Sequence, residues 1–198
     1  MRARMALAAS GLPVRVREAL LCDKPPEMLA ASPKGTVPVL VRTDGSVIDE
    51  SLDIMHWALA QHDPEGWLSA DAGETARLIA QNDGPFKHAL DRYKYADRHE
   101  TDGAAHRASA MDILSNLAAR LEAKGGQLLG PAPTLADIAT FPFVRQFAAT
   151  DVAFWQAHAP ASLHAWLGSH VSSPRFTAIM HKFPRWKEGD AEPLLTAP

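Results

Sequence analysis

The sequence predicts an α/β region followed by an all-α region within one chain of 198 residues. Up to about residue 62, short apolar stretches alternate with turn residues and short helical patterns. From about residue 73, apolar residues recur at helical spacing almost to the end. We therefore predict domains over residues 1–62 and 73–198, joined by a linker over 63–72.

The first region opens with a helical pattern in which Met1, Met5 and Ala8 share one face, and Gly11 stands at the position of a left-handed C-cap. Alternating apolar and charged residues then predict a strand in PVRVREALL. Two prolines, Pro25 and Pro26, introduce a short helix or a turn in KPPEMLAAS. An Asp-Gly turn between TVPVLV and SVID predicts a hairpin of two further strands. The region closes with a predicted helix in ESLDIMHWALAQH.

The second region contains several helical patterns. The first, GETARLIAQNDGPFKHALDRYKYAD, predicts one long helix or two, interrupted at Gly84-Pro85 because proline lacks the N–H that a helix interior needs. Longer helices are predicted in AAHRASAMDILSNLAARLEAKGG and PTLADIATFPFVRQFAA, and shorter ones in ASLHAWLGSHV and PRFTAIM. Thr134 and Asp137 have the spacing of a capping box, which is a folding signal without chemistry.

Composition excludes several classes of function. The net charge of -3 and the scattered Lys and Arg residues argue against a nucleic-acid partner. No apolar run approaches the roughly 20 residues of a membrane span, so we expect no membrane partner. The nine histidines show no zinc-ligand spacing, and we predict no metal. With a single cysteine, Cys22, the chain cannot form an internal disulfide, which favours a cytoplasmic protein.

Two stretches of the first region carry candidate binding chemistry. In SPKGTVPVL, Pro38 is either a trans proline on an edge strand or follows a cis bond that frees the Val37 N–H and C=O for an extended, peptide-like ligand. In DESLDIMHW, Glu50 and Ser51 open a helix whose N-terminal amides suit a carboxylate, while Glu50 suits an ammonium. The alternative is that Asp49, Glu50 and Ser51 are only a capping cluster.

Taken in order, KGTVPVL, DES and TLADI resemble the cis-proline loop, the Glu-Ser pair and the N-capping box of the glutathione S-transferase superfamily. The resemblance covers nearly the whole chain and implies a thioredoxin-like N-terminal domain before an all-helical C-terminal domain. It also implies that the protein binds glutathione and which residues contact each part of that ligand. The main chain of Val37, before Pro38, pairs with the cysteinyl backbone, Glu50 and Ser51 hold the γ-glutamyl end, and Lys34 reaches the glycyl carboxylate.

The start of the chain departs from the family pattern. The helix in MRARMALAASGLP resembles the family's first helix without the strand and turn that precede it, and that turn carries the catalytic Tyr, Ser or Cys. The expectation is therefore an incomplete thioredoxin-like domain, an unknown catalytic residue, and a biological polypeptide that begins upstream of Met1. Cys22 is interpreted as an inert small hydrophobic residue.

The resemblance implies a transferase that joins glutathione to a small hydrophobic electrophile or acts on glutathione mixed disulfides, and that forms a homodimer. By the same resemblance Tyr93, Tyr95 and Arg98 border the substrate pocket, although the residues themselves favour amphipathic packing as the role of these side chains. The alternative function is a glutathione-binding or protein-interaction module of the same fold without turnover.

Overall fold

Two units divide the chain in the structure, a computed structural model that describes residues 1–100 and 102–195. The first unit contains Met1–Glu65 together with the chain from Ser173 onward, and the second contains Gly66–Ser172. The boundary between Glu65 and Gly66 lies inside the predicted linker. The residues after Ser173, which the sequence analysis assigns to the helical domain, pack with the first unit.

Helix α1 (Arg2–Ser10) forms the centre of the first unit. Its small side chains allow close packing against α3 (Ser51–Gln61), and Met5 and Ala6 on α1 are at most 2% exposed. The predicted cap is confirmed, since Gly11 is left-handed with φ 66° and its N–H donates to the Ala8 carbonyl. Along the chain, the short helix α2 (Pro26–Ala31) comes between α1 and α3. The paired prolines Pro25 and Pro26 stand at its start, as predicted.

The predicted hairpin is present but short. Strands β1 (Leu40–Val41) and β2 (Val47–Ile48) pair antiparallel, with Leu40 opposite Ile48. The turn between them is closed by Asp44, whose Oδ1 accepts from the Ser46 N–H at 2.9 Å. The ladder therefore covers only part of each predicted strand.

The prediction of a regular strand in PVRVREALL is wrong, because the backbone of this stretch makes only isolated β-bridges. Its partners come from the far end of the chain: the Val16 N–H donates to the Pro193 carbonyl and the Leu195 N–H to the Val14 carbonyl, both at 2.8 Å. Cys22 follows in an exposed turn, so it is not packed as a small hydrophobic residue.

The described part of the second unit is helical with connecting loops. Its helices are α4 (Ala72–Gln81), α5 (Lys87–Lys94), α6 (Ala96–His99), α7 (Gly103–Lys124), α8 (Leu135–Thr150), α9 (Val152–His158) and α10 (Ala161–Val171). A π-helical turn, Asn82–Phe86, joins α4 to α5 and contains Pro85, which confirms the predicted interruption. Neither α9 nor the second half of α6 has a counterpart among the predicted helices.

A buried carboxylate organises the core of this unit. The capping box predicted at Thr134 and Asp137 is confirmed, with the Thr134 N–H donating to Asp137 Oδ2 at 2.9 Å. The other oxygen of Asp137 accepts from the Leu128 N–H at 2.8 Å and from Trp166 Nε1 at 2.9 Å. Asp137 is 0% exposed, and this single side chain satisfies donors of three residues, two in the loop before α8 and one on α10.

The chain returns to the first unit through α11 (Pro174–Ile179), which packs against α1. An extended C-terminal segment follows. The Trp186 N–H donates to the Glu18 carbonyl at 3.0 Å, and the Arg17 guanidinium lies 4.4 Å from the centre of the Trp186 ring. Within residues 1–100 and 102–195, no helix has both the length and the apolar character that crossing a membrane requires.

Candidate functional site

A cluster of charged side chains surrounds the N-terminus of α3. Lys34 Nζ donates to Glu50 Oε1 at 2.9 Å and to Asp49 Oδ1 at 3.1 Å. The other oxygen of Asp49 accepts from Ser32 Oγ at 2.7 Å. The hairpin ends directly before Asp49, so β2 and α3 bring the acidic pair against the loop that carries Ser32 and Lys34.

Hydrogen bonds favour the charged forms of two members of this cluster, Asp49 and Lys34. The pKa of the Asp49 carboxyl is lowered, first by the bond from the Ser32 hydroxyl and then by Lys34. The pKa of Lys34 is raised by its bonds to Glu50 and Asp49. Both directions favour the ionised forms of Asp49 and Lys34, which pair as carboxylate and ammonium.

The N-terminus of α3 has no side-chain cap. Glu50 occupies the N-cap position, but its carboxylate bonds Lys34 and not the helix amides. The Ser51 hydroxyl, at the first helical position, has no hydrogen-bond partner within the described chain. This arrangement does not match the capping interpretation of Asp49, Glu50 and Ser51, and it leaves the first amides of α3 open to an anion.

The Val37–Pro38 peptide bond is cis, as the resemblance implies, so the trans-proline alternative is wrong. Val37 lies outside the ladder, which begins at Leu40, and its side chain is 49% exposed. In residues 1–100 and 102–195, neither its N–H nor its C=O finds a hydrogen-bond partner. Val37 therefore offers a free main-chain donor and acceptor in the same unit as the charged cluster.

The three residues expected at a substrate pocket separate into two environments within the second unit. Tyr93 packs toward the core, with its ring 5.4 Å from that of Phe147. The Tyr95 ring is approached by two cations, Lys94 Nζ at 4.9 Å and Arg98 Cζ at 4.7 Å from its centre. The structure thus brings Tyr95 and Arg98 together, while the Tyr93 ring packs beside Phe147.

Sequence reasoning left two members of the charged cluster without a ligand-site role. Ser32 is 1% exposed, and Asp49 was considered only as part of a capping cluster. Ser32 ends α2 and Lys34 lies in the turn that follows, closed by the bond from the Gly35 N–H to the Ser32 carbonyl, and no pattern in the sequence indicates that this turn meets Asp49. Among the described residues, no group of three or more His, Cys, Asp or Glu side chains could hold a metal ion.

Comparison with protein families matches both regions of the chain. The family model described as glutathione S-transferase, N-terminal domain, matches residues 1–66, and the one described as glutathione S-transferase, C-terminal domain, matches residues 102–188. No curated protein sequence matches the chain.

Solved structures share the fold. A glutathione S-transferase from Rhodospirillum rubrum is 24% identical with a TM-score of 0.72, over 97% of this chain and 90% of that one. Glutathione transferase Omega 3C from Trametes versicolor is 20% identical with a TM-score of 0.77, over 93% and 85%. A sphingomonad glutathione S-transferase complexed with glutathione is 19% identical with a TM-score of 0.69, over 90% and 91%. The predicted fold class, a small thioredoxin-like N-terminal domain before a helical C-terminal domain, is confirmed.

Proposed function

We propose that this chain, which belongs to the glutathione S-transferase superfamily, binds glutathione and transfers it to a second substrate. The observation that carries the proposal is the pairing of opposite charges beside an open helix N-terminus. Lys34 and Glu50 lie 2.9 Å apart next to the uncapped amides of α3. Glutathione carries an ammonium and two carboxylates, so its charges complement this set.

The γ-glutamyl end of glutathione binds at α3 in this proposal. Its α-carboxylate accepts hydrogen bonds from the first amides of the helix and from the Ser51 hydroxyl, and its ammonium pairs with Glu50. The main chain of Val37 pairs with the cysteinyl residue in the manner of an added strand, next to Pro38. Lys34 turns from Glu50 to the glycyl carboxylate. The sphingomonad relative that is complexed with glutathione supports this ligand.

The chemistry that follows binding depends on the thiol. A family member uses a hydroxyl or thiol near the glutathione sulfur to stabilise the thiolate, which then attacks an electrophile or a mixed disulfide. None of the residues discussed above is assigned that role. For the second substrate, a small hydrophobic electrophile or a mixed disulfide, we assign contacts to Tyr95 and Arg98 and, at the edge of the core, to Tyr93.

Calorimetric titration of the full chain with reduced glutathione tests the binding step. Glu50→Gln removes the partner of the ligand ammonium and is expected to raise the Kd about tenfold, which corresponds to one lost charge-assisted hydrogen bond. Ser51→Ala is expected to weaken binding by a smaller factor, because it removes a neutral donor. Asp53→Asn is the matched control, since Asp53 is an exposed acid in the same first turn. Wild-type protein without measurable glutathione binding would overturn the proposal.

Turnover separates a transferase from a binding module. Conjugation of a chloronitrobenzene substrate, or reduction of a glutathione mixed disulfide, supports the enzyme. Glutathione binding of normal strength without either reaction supports the alternative, a non-catalytic module of the same fold.

We also propose a homodimer in the cytoplasm. The dimer is supported by the resemblance alone, and sedimentation velocity across a range of protein concentrations tests it. A cytoplasmic location is supported by the exposed thiol of Cys22, the single cysteine of the chain. Fractionation of cells that express the protein tests the location.

A further inference from the structure

Asp49 bonds two residues of the charged cluster, although the proposed glutathione site gives it no contact with the ligand. Its Oδ1 accepts from Lys34 Nζ at 3.1 Å, and its Oδ2 accepts from Ser32 Oγ at 2.7 Å. Its side chain is 26% exposed, half as much as that of Lys34 at 53%. Asp49 therefore joins the turn that follows α2 to the segment that enters α3.

Ser32 is a fixed support for this carboxylate. It is 1% exposed, its N–H donates to the Met28 carbonyl at 2.9 Å, and its carbonyl accepts from the Gly35 N–H at 3.0 Å. Loss of Asp49 as an acceptor would leave a buried hydroxyl unsatisfied, which is unfavourable. The bond from Ser32 to Asp49 is therefore kept when exposed groups beside it exchange partners.

The backbone on either side of Lys34 is restricted as well. Pro33 precedes Lys34, and its ring fixes its own φ. Gly35 follows with φ 62°, in the left-handed region, and its N–H closes the turn. The turn thus holds the Lys34 main chain in one place, and only the long, exposed side chain remains to be positioned.

The two carboxylates that bond Lys34 differ in how readily they leave it. The Glu50 side chain is 61% exposed, and within residues 1–100 and 102–195 its carboxylate bonds Lys34 alone. Asp49 is held by Ser32 in addition. An ammonium group has three N–H donors, so Lys34 can keep its bond to Asp49 while it exchanges Glu50 for a carboxylate of the ligand.

We propose that Asp49, fixed by Ser32, is a positioning residue that holds the Lys34 ammonium where the glycyl carboxylate of glutathione binds. This role rests on the proposed glutathione function. A free lysine side chain loses much rotational freedom when it binds a ligand, and Asp49 removes part of that freedom beforehand. The benefit is confined to ligands with a carboxylate at the glycyl position, so Asp49 contributes to specificity for that end of the ligand.

Calorimetric titration of the full chain with reduced glutathione and with its glycyl monoethyl ester tests this role. The ester lacks the charge that Lys34 contacts. Asp49→Asn keeps an oxygen for Ser32 but presents an amide to Lys34, so we expect the Kd of glutathione to rise about fivefold and that of the ester to stay within about twofold. Asp53→Asn is the matched control, an exposed acid in the first turn of α3, and we expect neither Kd to change.

A double variant shows whether Asp49 acts through Lys34. In a Lys34→Met background, Asp49→Asn is expected to change the Kd of glutathione by less than about twofold, because no ammonium is left to position. Ser32→Ala keeps the Asp49 carboxylate but removes its support, and we expect a smaller rise in Kd than with Asp49→Asn. Thermal unfolding of each variant verifies that the fold is retained, and Ser32→Ala carries the test if Asp49→Asn does not fold.

Three results would overturn this role. Tighter glutathione binding by Asp49→Asn would show that Asp49 competes with the ligand for Lys34. Equal losses for glutathione and its ester would place the effect at the other end of the ligand. Independent effects of Asp49→Asn and Lys34→Met would show that Asp49 does not act through Lys34.

Failure of this role is distinguishable from failure of the proposed function. If the wild type binds glutathione and Asp49→Asn binds it as tightly as Asp53→Asn does, only the role of Asp49 is wrong. If the wild type does not bind glutathione, the proposed function is wrong and the role of Asp49 with it.

Discussion

Lys34 Nζ and Glu50 Oε1 lie 2.9 Å apart, so the cation and the anion of the proposed glutathione site neutralise each other. Both side chains are largely exposed, at 53% and 61%. An exposed pair of this kind contributes little to stability, because water screens both charges. A ligand that brings its own ammonium and carboxylate can therefore exchange partners with the pair at low cost.

The first prediction concerns the part of the ligand that Lys34 contacts. Lys34→Met is expected to raise the Kd of glutathione about tenfold, because one charge-assisted hydrogen bond to the glycyl carboxylate is lost. The Kd of γ-glutamylcysteine, which lacks the glycine, is expected to stay unchanged. Calorimetric titration of both peptides against both proteins measures this. An equal loss for the two peptides would mean that Lys34 acts only by positioning Glu50.

The second prediction concerns Asp137, the buried carboxylate of the capping box. Asp137→Ala leaves the buried donors of Leu128, Thr134 and Trp166 without their acceptor, so we expect the free energy of unfolding to fall by about 3 kcal/mol or more. Asp112→Ala is the control, since Asp112 is exposed on α7, and a change within about 0.5 kcal/mol is expected. Urea unfolding followed by tryptophan fluorescence measures both. Equal losses would contradict the assigned role of Asp137.

The third prediction compares two neighbouring leucines in the C-terminal segment. Leu195 is 7% exposed, whereas Leu194 is 53% exposed. Leu195→Ala removes buried apolar surface and is expected to cost about 2–3 kcal/mol of unfolding free energy, while Leu194→Ala costs less than about 0.5 kcal/mol. Urea unfolding of the two variants measures both losses of unfolding free energy. The reverse order would show that the segment packs on its other face.

The fourth prediction concerns the pH dependence of stability through His170. This side chain is 5% exposed, it stacks on Phe141 with ring centres 5.0 Å apart, and its Nε2 lies 3.0 Å from Gln127 Oε1. Loss of solvation lowers the pKa of His170 in the folded protein, and the charge of Asp137 opposes that shift to a smaller extent. The folded state therefore favours the neutral imidazole.

The sign of the effect follows from proton linkage. An unfolded histidine has a pKa of about 6.5, so below that pH the unfolded chain binds more protons than the folded one. His170 therefore makes stability fall as the pH drops from about 6.5 toward the lowered folded pKa, and its contribution levels off below that value. Urea unfolding between pH 5 and 8 measures the slope. His170→Phe is expected to reduce it and His158→Phe, at an exposed position, to leave it unchanged. An undiminished slope in His170→Phe would contradict the prediction.

Features that depend on neighbouring residues were predictable from the sequence. Gly11 ends α1 because a left-handed residue is required there, and Gly84-Pro85 marks the π-helical turn because proline has no N–H to donate. The capping box at Thr134 and Asp137 spans only three positions. Each signal acts within one or two helical turns, so a pattern in the sequence is sufficient to find it.

Local patterns in the sequence were sufficient to locate most helices, and they placed Glu50 and Ser51 at the start of α3. Which distant segments meet depends on the packing of the folded chain. This packing paired Val14–Val16 with residues 193–195 in place of a regular strand, and it joined Lys34 to carboxylates 15 and 16 residues away. The physical reason is that a long-range contact depends on the fold of everything between its partners, whereas a cap or a turn depends only on residues beside it.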